Sequence, residues 1–234
     1  MIKILHLYHD ILNLYGEYAN ITVLCDLLEK NNVKYSLDKF TIGDSFDFNS
    51  YDFIYCGSGT ENKIKYVLND FIKRKDSFLE AVHNNKHILF TGSSFALLGN
   101  KLDNIDASGI FGYDTIQGKT RYSGDVIASC FNHSNIIGFL NTSYLVNTDS
   151  NPYYQIDYCD DIIKQFSSIG YRRNNLITIN LVGPLLVRNP ELLKEYVNEL
   201  GLIEKEDFIY IDLISDNQYK AYFVALDELT KRFN

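Results

Sequence analysis

Short apolar runs alternate with helix-like segments through the first 91 residues, and this alternation limits the fold more than any other feature of the chain. The apolar runs cover residues 2–8, 34–40, 53–56 and 87–91, and the helical segments cover 18–30 and 63–84. Strands that are apolar on both faces are typical of parallel sheets with helices on each side. The pattern therefore predicts a doubly wound, mostly parallel α/β sheet flanked by helices.

The second half of the chain has a different pattern. Residues 109–180 contain short segments rich in Tyr, Ile and Thr, separated by Gly, Asn and Asp, which predicts a β-rich insertion of antiparallel strands. Asn189-Pro190 then marks the start of a helix at 190–200, because proline is favoured in a first helical turn. A β-like segment at 208–211 and a final helix ending near residue 233 follow. With three prolines and no repeat, residues 1–234 are expected to form a single domain.

Composition and charge exclude several classes of function. Among 234 residues, 22 Lys and Arg stand against 30 Asp and Glu, a net charge of −8. Because phosphate binding needs a clustered basic surface, no nucleic-acid partner is expected. No apolar stretch approaches the roughly 20 residues that cross a bilayer, and the amino end lacks a secretory signal, so we expect a cytoplasmic protein without a membrane span. Four cysteines without a CxxC pair predict neither a metal site nor a disulfide framework, and no cofactor is expected.

Three strand-like runs end in glycine-bearing loops, at residues 56–61, 91–95 and 181–184. In open α/β sheets, ligands bind beyond the carboxyl ends of the strands, so these loops are the expected site. Each loop alone is an ordinary way to turn a chain. The three together are more specific than any one of them.

Further motifs accompany the loops. Residues 12–16 are LNLYG, followed by Glu17, and residues 121–125 are RYSGD. With the loop at 56–60 and Gly183-Pro184, they resemble the class I glutamine amidotransferases of the CobB/CobQ-like branch, and most closely the GatD-type glutaminase subunits of lipid II isoglutaminyl synthases. The family has Asp in place of Glu17. The resemblance covers nearly the whole chain and implies a flavodoxin-like fold.

The resemblance also implies a glutamine pocket. In such enzymes a cysteine on a strand-to-helix elbow attacks the glutamine amide, and backbone N–H groups of the elbow and glycine loop hold the oxyanion. The ligand-binding residues implied for this chain are Gly57, Ser58, Gly59, Ser93, Arg121 and Asn141. Arg121 is placed beside the pocket, where a guanidinium suits a carboxylate. The implied ligand is glutamine or a related amino acid.

The residues that carry the reaction are missing at the matching positions. The family's C-G-G-x-Q-x-L-G corresponds to residues 92–99, which puts Gly92 at the cysteine position; a slip of one residue would put Thr91 there. The family's histidine in Y-L-H-G-P corresponds to Val182. Glycine has no side chain to attack with and valine carries no proton. These degenerate positions predict that the chain has no catalytic residue.

Three residues are candidate substitutes for the missing nucleophile. Ser93 and Ser94 follow the elbow glycine, but a serine hydroxyl needs an adjacent base, and none of the five histidines lies on a matching strand end. Cys56 is the nearest thiol, although it comes from the strand before the glycine loop. All three are residues to test by substitution.

The resemblance and the departures together predict a GatD-type subunit without glutaminase activity. We expect it to form a heterodimer with a Mur-ligase-like, MurT-type enzyme in peptidoglycan precursor amidation, as a structural, regulatory or glutamine-sensing partner. Two alternatives stay open. One is an active glutamine amidotransferase that supplies ammonia to a cell-wall or cobyrinate amidation, and the other is a serine hydrolase that uses Ser93 or Ser94.

Overall fold

The computed structural model describes residues 1–130, 134–148, 152–199 and 216–233. The strands are β1 (Ile2–Leu7), β2 (Tyr35–Phe40), β3 (Phe53–Cys56), β4 (His87–Thr91), β5 (Lys101–Leu102), β6 (Ile105–Asp106), β7 (Tyr113–Ser129), β8 (Ile136–Thr148), β9 (Tyr154–Cys159), β10 (Ser168–Arg173), β11 (Leu176–Ile179) and β12 (Leu181–Val182). The helices are α1 (Ala19–Lys30), α2 (Glu61–Lys73), α3 (Lys75–His83), α4 (Leu185–Arg188), α5 (Pro190–Glu199) and α6 (Asp216–Phe233). Short 3-10 helices cover Leu14–Gly16, Phe48–Ser50, Gly92–Leu97 and Asp161–Ile163.

The strands of the described residues form one mixed sheet. Its order is β12-β8-β7-β9-β10-β11-β4-β3-β1-β2, with β5 paired to β7 and β6 to β5. The neighbours from β11 to β2 are parallel. The strands from β12 to β10 pair antiparallel, as do β10 and β11. The doubly wound α/β fold with a β-rich part is confirmed, and the β-rich part extends the same sheet.

Helices cover the parallel half on both faces. One apolar cluster packs α2 and α3 against the sheet and includes Phe71 and Phe90, and a second packs α1, α4 and α5 and includes Leu24 and Leu193. Burial of apolar surface stabilises such layers by about 25 cal/mol per Å². The carboxyl ends of β3 and β4 are thereby held in a rigid frame. No helix within the described ranges is both long and apolar enough to cross a membrane.

Several predicted elements have the expected bounds. The strands at 53–56 and 87–91 are confirmed as β3 and β4, and the helix after Asn189 begins at Pro190. β3 is buried along its whole length, which explains its continuous apolar run. The β-like segment expected at 208–211 lies outside the described residues.

The single helix expected at 63–84 is wrong, because two helices occupy this stretch. α2 and α3 are divided at Arg74, whose φ of −104° and ψ of 4° leave the helical region. The Arg74 guanidinium donates to Asp70 and to the Asp44 carbonyl oxygen, and it lies 4.7 Å from the centre of the Phe46 ring. These contacts with the segment after β2 stabilise the break, and the apolar periodicity does not show them.

Candidate functional site

The elbow is the turn at residues 91–94, where β4 passes into a 3-10 helix. Gly92 has a φ of +57°, a conformation that favours glycine. A Cβ at this position would lie 2.6 Å from Ser58 Cβ and 2.7 Å from Val182 Cγ1, far inside van der Waals contact. The structure thus brings Gly92, Ser58 and Val182 together. The last two side chains fill the space that a side chain at position 92 would need.

The glycine loop at residues 57–60 follows β3 and lies against the elbow. The Ser93 N–H donates to Ser58 Oγ at 3.1 Å, and the Gly59 N–H donates to Ser93 Oγ at 3.0 Å. Gly57 has no room for a side chain, since its Cβ would lie 2.6 Å from the Leu12 carbonyl oxygen. Two N–H groups at the expected place of an oxyanion hole are therefore paired within the chain.

The two elbow serines are buried and donate to backbone carbonyl groups. Ser93 Oγ donates to the Gly59 oxygen at 2.6 Å, and Ser94 Oγ donates to the Thr91 oxygen at 2.8 Å. In the described part of the chain, neither hydroxyl hydrogen bonds to an imidazole, whereas a serine nucleophile needs such a base. His133 lies outside that part. This geometry does not favour attack by Ser93 or Ser94.

Cys56 ends β3 and is fully buried. Burial raises the pKa of its thiol, and a hydrogen bond with Ser94 offsets only part of the rise. Since the thiolate is the reactive form, a buried thiol with a raised pKa is a poor nucleophile. The surroundings of Cys56 do not favour a catalytic role.

A buried carboxyl group lies beneath the elbow, and sequence reasoning did not include it among the site residues. Glu17 is fully buried and accepts hydrogen bonds from the Tyr55 hydroxyl (2.7 Å), the Thr91 hydroxyl and the Gly183 N–H (2.9 Å). Asn20 Nδ2 also donates to the Tyr55 oxygen at 2.8 Å. Burial raises the pKa of Glu17, and the three hydrogen bonds only partly oppose the rise. The Thr91 hydroxyl is thus bound to this carboxyl group.

Arg121 and Asn141 were both predicted as ligand-binding residues. They lie together where α2 begins, next to the glycine loop. Arg121 is on a bulge of β7, where the pairing with β8 shifts between Gln117 and Tyr122. Its Nη2 donates to both carboxylate oxygens of Glu61 at 2.8 Å, and its Nη1 donates to Asn141 Oδ1 at 2.9 Å. The guanidinium is therefore already bound to a carboxylate of the chain.

Glu61 is a second residue that sequence reasoning missed. It begins α2 directly after the glycine loop, and its Oε1 also accepts from the Ser143 hydroxyl at 2.7 Å. Burial alone would raise the pKa of Glu61, but hydrogen bonds from Ser143, its own backbone N–H and Arg121 outweigh burial and hold the pKa below its usual value. A carboxylate at the start of a helix is also favoured by the helix dipole. Glu61 and Arg121 therefore form an ion pair at neutral pH.

A cleft of about 750 Å³ lies apart from these residues, beside β9 and the end of α6. Its lining includes Tyr158, Asp160, Arg232 and Phe233, and it shares no residue with the elbow or with the Arg121 ion pair. Within the ranges given above, no group of three or more His, Cys, Asp or Glu side chains is placed to hold a metal ion. The loops at the carboxyl ends of β3 and β4 remain the candidate site.

Comparison with known sequences gives two relatives. No family model matches the chain. The GatD subunit of the glutamine-hydrolysing lipid II isoglutaminyl synthase of Streptococcus pneumoniae is 26% identical over 243 residues, which cover 95% of this chain and 94% of the relative. The GatD subunit of the same enzyme from Staphylococcus aureus is 24% identical over 196 residues, covering 82% and 81%.

Comparison with solved structures supports the fold. A glutamine amidotransferase from Thermotoga maritima has a TM-score of 0.51 at 10% identity, covering 99% of this chain and 97% of its own. The glutaminase domain of Trypanosoma brucei CTPS with bound acivicin has a TM-score of 0.56 at 9% identity, covering 87% and 96%. The chain is thus similar to GatD subunits over most of its length and has the fold of the class I glutamine amidotransferases, as its motifs predicted.

Proposed function

We propose that this chain is a glutamine amidotransferase-like subunit, a single domain over residues 1–234, that lacks glutaminase activity. The observation that carries the proposal is the packing of the elbow, where Ser58 and Val182 fill the space beside Gly92. Hydrolysis of a glutamine amide by this fold needs a thiol on the elbow and a base beside it. On the proposed alignment, Gly92 and Val182 stand at those two positions, and neither side chain has a group that reacts.

The similarity to GatD supports a place in cell-wall synthesis. Both relatives are named as subunits of a lipid II isoglutaminyl synthase. The proposed partner is accordingly a Mur-ligase-like, MurT-type enzyme that activates a carboxylate of a peptidoglycan precursor in the cytoplasm. In a heterodimer with this enzyme, the chain acts as a structural, regulatory or glutamine-sensing subunit, and ammonia comes from solution.

The test is glutamine hydrolysis by the purified chain, alone and with its candidate ligase, measured as glutamate and ammonia released. The S. pneumoniae GatD subunit, prepared with its own partner, is the positive control. We expect no release above background in either setting and ligase activity that depends on added ammonium. Turnover of glutamine by the chain or by the complex would overturn the proposal.

An active amidotransferase is the second candidate, because the relatives' enzyme is named glutamine-hydrolysing. It would need an unrecognised nucleophile, and Ser93, Ser94 and Cys56 are the groups to test. If the complex releases glutamate, the variants Ser93→Ala, Ser94→Ala and Cys56→Ala identify the residue responsible. An esterase screen with the same serine variants tests the hydrolase alternative.

A further inference from the structure

Backbone donors that an amide substrate would need are already paired inside the chain. The Ser93 N–H donates to Ser58 Oγ, and the Gly59 N–H donates to Ser93 Oγ. Ser58 and Ser93 are 1% and 6% exposed, so these hydrogen bonds lie in the interior rather than at a solvated surface. A ligand carbonyl would have to break these hydrogen bonds before it could accept from the same N–H groups, and breaking a buried hydrogen bond is unfavourable.

The Arg121 guanidinium, the cation next to the glycine loop, is also already bound to a group of the chain. Arg121 Nη2 lies 2.8 Å from each carboxylate oxygen of Glu61, so one nitrogen of the guanidinium already binds a carboxylate, and Nη1 donates to Asn141 Oδ1. Because Glu61 is part of the same chain, its effective concentration at Arg121 is on the order of millimolar or higher. A free amino acid has to displace this tethered carboxylate to reach the guanidinium.

Neighbouring side chains hold Glu61 and Arg121 in place. The Ser143 hydroxyl and N–H both donate to Glu61 Oε1, at 2.7 and 3.3 Å. On the other side, Asn141 accepts from Arg121 and donates to the Tyr15 hydroxyl at 3.0 Å. Residues of β8 and of the loop after β1 therefore hold the Arg121–Glu61 ion pair in place, in addition to the attraction between the two charges.

We infer that Ser58 and Glu61 occupy the amino-acid pocket from within and exclude glutamine, so that the subunit works without a bound amino acid. The Ser58 hydroxyl takes the place of the ligand's carbonyl oxygen, and the Glu61 carboxylate takes the place of the ligand's carboxylate. The inference rests on the proposed function and selects a structural or regulatory role over glutamine sensing. Ser58 and Glu61 are then specificity-determining residues.

The test is calorimetric titration of L-glutamine and L-glutamate into the full chain and three variants: Ser58→Gly, Glu61→Gln and the double variant. Glu80→Gln, at an exposed position on α3, is the matched control for loss of one carboxylate. We expect no binding by the native chain or the control at millimolar ligand. The double variant is expected to gain measurable binding, at least about tenfold tighter than the limit set by the native chain. Thermal unfolding of each variant establishes that it is folded.

The outcomes separate this inference from the proposed function. Glutamine binding by the native chain without hydrolysis would overturn internal occupation and leave the inactive subunit standing. A folded double variant that binds neither ligand would also overturn it, since the pocket would then be closed by something else. If Ser58→Gly does not fold, Glu61→Gln alone decides the question, because a gain of L-glutamate binding relative to Glu80→Gln supports the inference and no gain contradicts it.

Discussion

Two glutamates lie on either side of the elbow, and they behave in opposite ways. Glu17, beneath the elbow, accepts only from neutral donors, and burial raises its pKa. These donors are the hydroxyls of Tyr55 and Thr91, the Gly183 N–H and, at 3.5 Å, Asn20 Nδ2. Glu61, at the start of α2, is bound by the Arg121 cation, and its pKa is lowered although burial opposes this. Glu17 is 0% exposed and Glu61 is 8% exposed, and only Glu61 has a cation among its donors, so the two pKa values shift in opposite directions. The charge and number of the donors decide the direction of each shift.

The two glutamates also differ in which parts of the fold they connect. The Glu17 network ties the segment between β1 and α1 to β3, to β4 and to the turn after β12, deep in the fold, so its loss should disturb the parallel half. The Glu61 ion pair ties the start of α2 to the bulge of β7, where the arginine side chain is 49% exposed and water competes for it. The scaffold under the elbow is therefore expected to depend on the first glutamate far more than on the second.

Glu17→Ala is expected to have the largest effect on stability. It removes the acceptor of the buried Tyr55 and Thr91 hydroxyls and of the Gly183 N–H and opens a cavity, for a loss of about 3–5 kcal/mol in the free energy of unfolding. Urea unfolding at pH 7, followed by circular dichroism, measures the loss. Glu17→Gln keeps an acceptor oxygen and should lose less. Equal losses in the two variants would contradict this, and would show that the hydrogen bonds to both carboxyl oxygens, rather than the volume of the side chain, hold this region.

The next largest loss of stability is expected for Gly92→Cys, at the elbow between the two glutamates. The positive φ and the contacts of the new Cβ with Ser58 and Val182 should cost about 2–4 kcal/mol in the free energy of unfolding, and no glutaminase activity should appear. Gly92→Ala is the control, since it has the same Cβ without a thiol. Adding Ser58→Gly should recover part of the loss in both variants. A stable, active Gly92→Cys protein would contradict the packing described for the elbow.

The pH dependence should have opposite signs for the two glutamates. The folded-state pKa of Glu17 lies above its ordinary value of 4.5, so its contribution to stability is present below pH 4.5 and is lost as the pH rises through the folded value. The folded-state pKa of Glu61 is lowered, so its contribution is present above pH 4.5 and is lost as the pH falls through the folded value.

Urea unfolding of the native chain, Glu17→Gln and Glu61→Gln from about pH 2.5 to about pH 8 measures both slopes. Relative to Glu17→Gln, the native chain should lose stability as the pH rises, by about 1.4 kcal/mol for each unit of pKa difference. Relative to Glu61→Gln, it should lose stability as the pH falls below 4.5. Slopes of the same sign would refute the opposite pKa shifts of the two glutamates.

Arg121→Gln is expected to have the smallest effect on stability, at most about 1 kcal/mol, because water screens a half-exposed guanidinium. The loss should shrink further at high salt. Arg121→Lys, which keeps the charge but lacks the planar group that reaches both Glu61 and Asn141, is the control. A loss above about 2 kcal/mol, measured by the same urea unfolding, would place the ion pair among the structural supports of the fold.

The parallel half could be predicted from local patterns. β3 and β4 are covered on both faces, so each is a continuous apolar run that ends at its glycine loop, and both were predicted with the observed bounds. The break at Arg74 was not predicted, because its causes, Asp44 and Phe46, lie about 30 positions earlier in the chain and follow no helical period.

The candidate site, too, has features that the sequence predicts and features that only the folded structure shows. The motifs and the residue types at positions 92 and 182 are properties of the chain as written, and they were enough to suggest that a nucleophile and a base are missing. Folding decided the rest of the site. Ser58 fills the space at Gly92, Glu61 binds Arg121, and Glu17 is buried beneath them. These contacts join residues 34 to 166 positions apart, and only the sheet, by bringing the ends of distant strands to one edge, places them within hydrogen-bond distance.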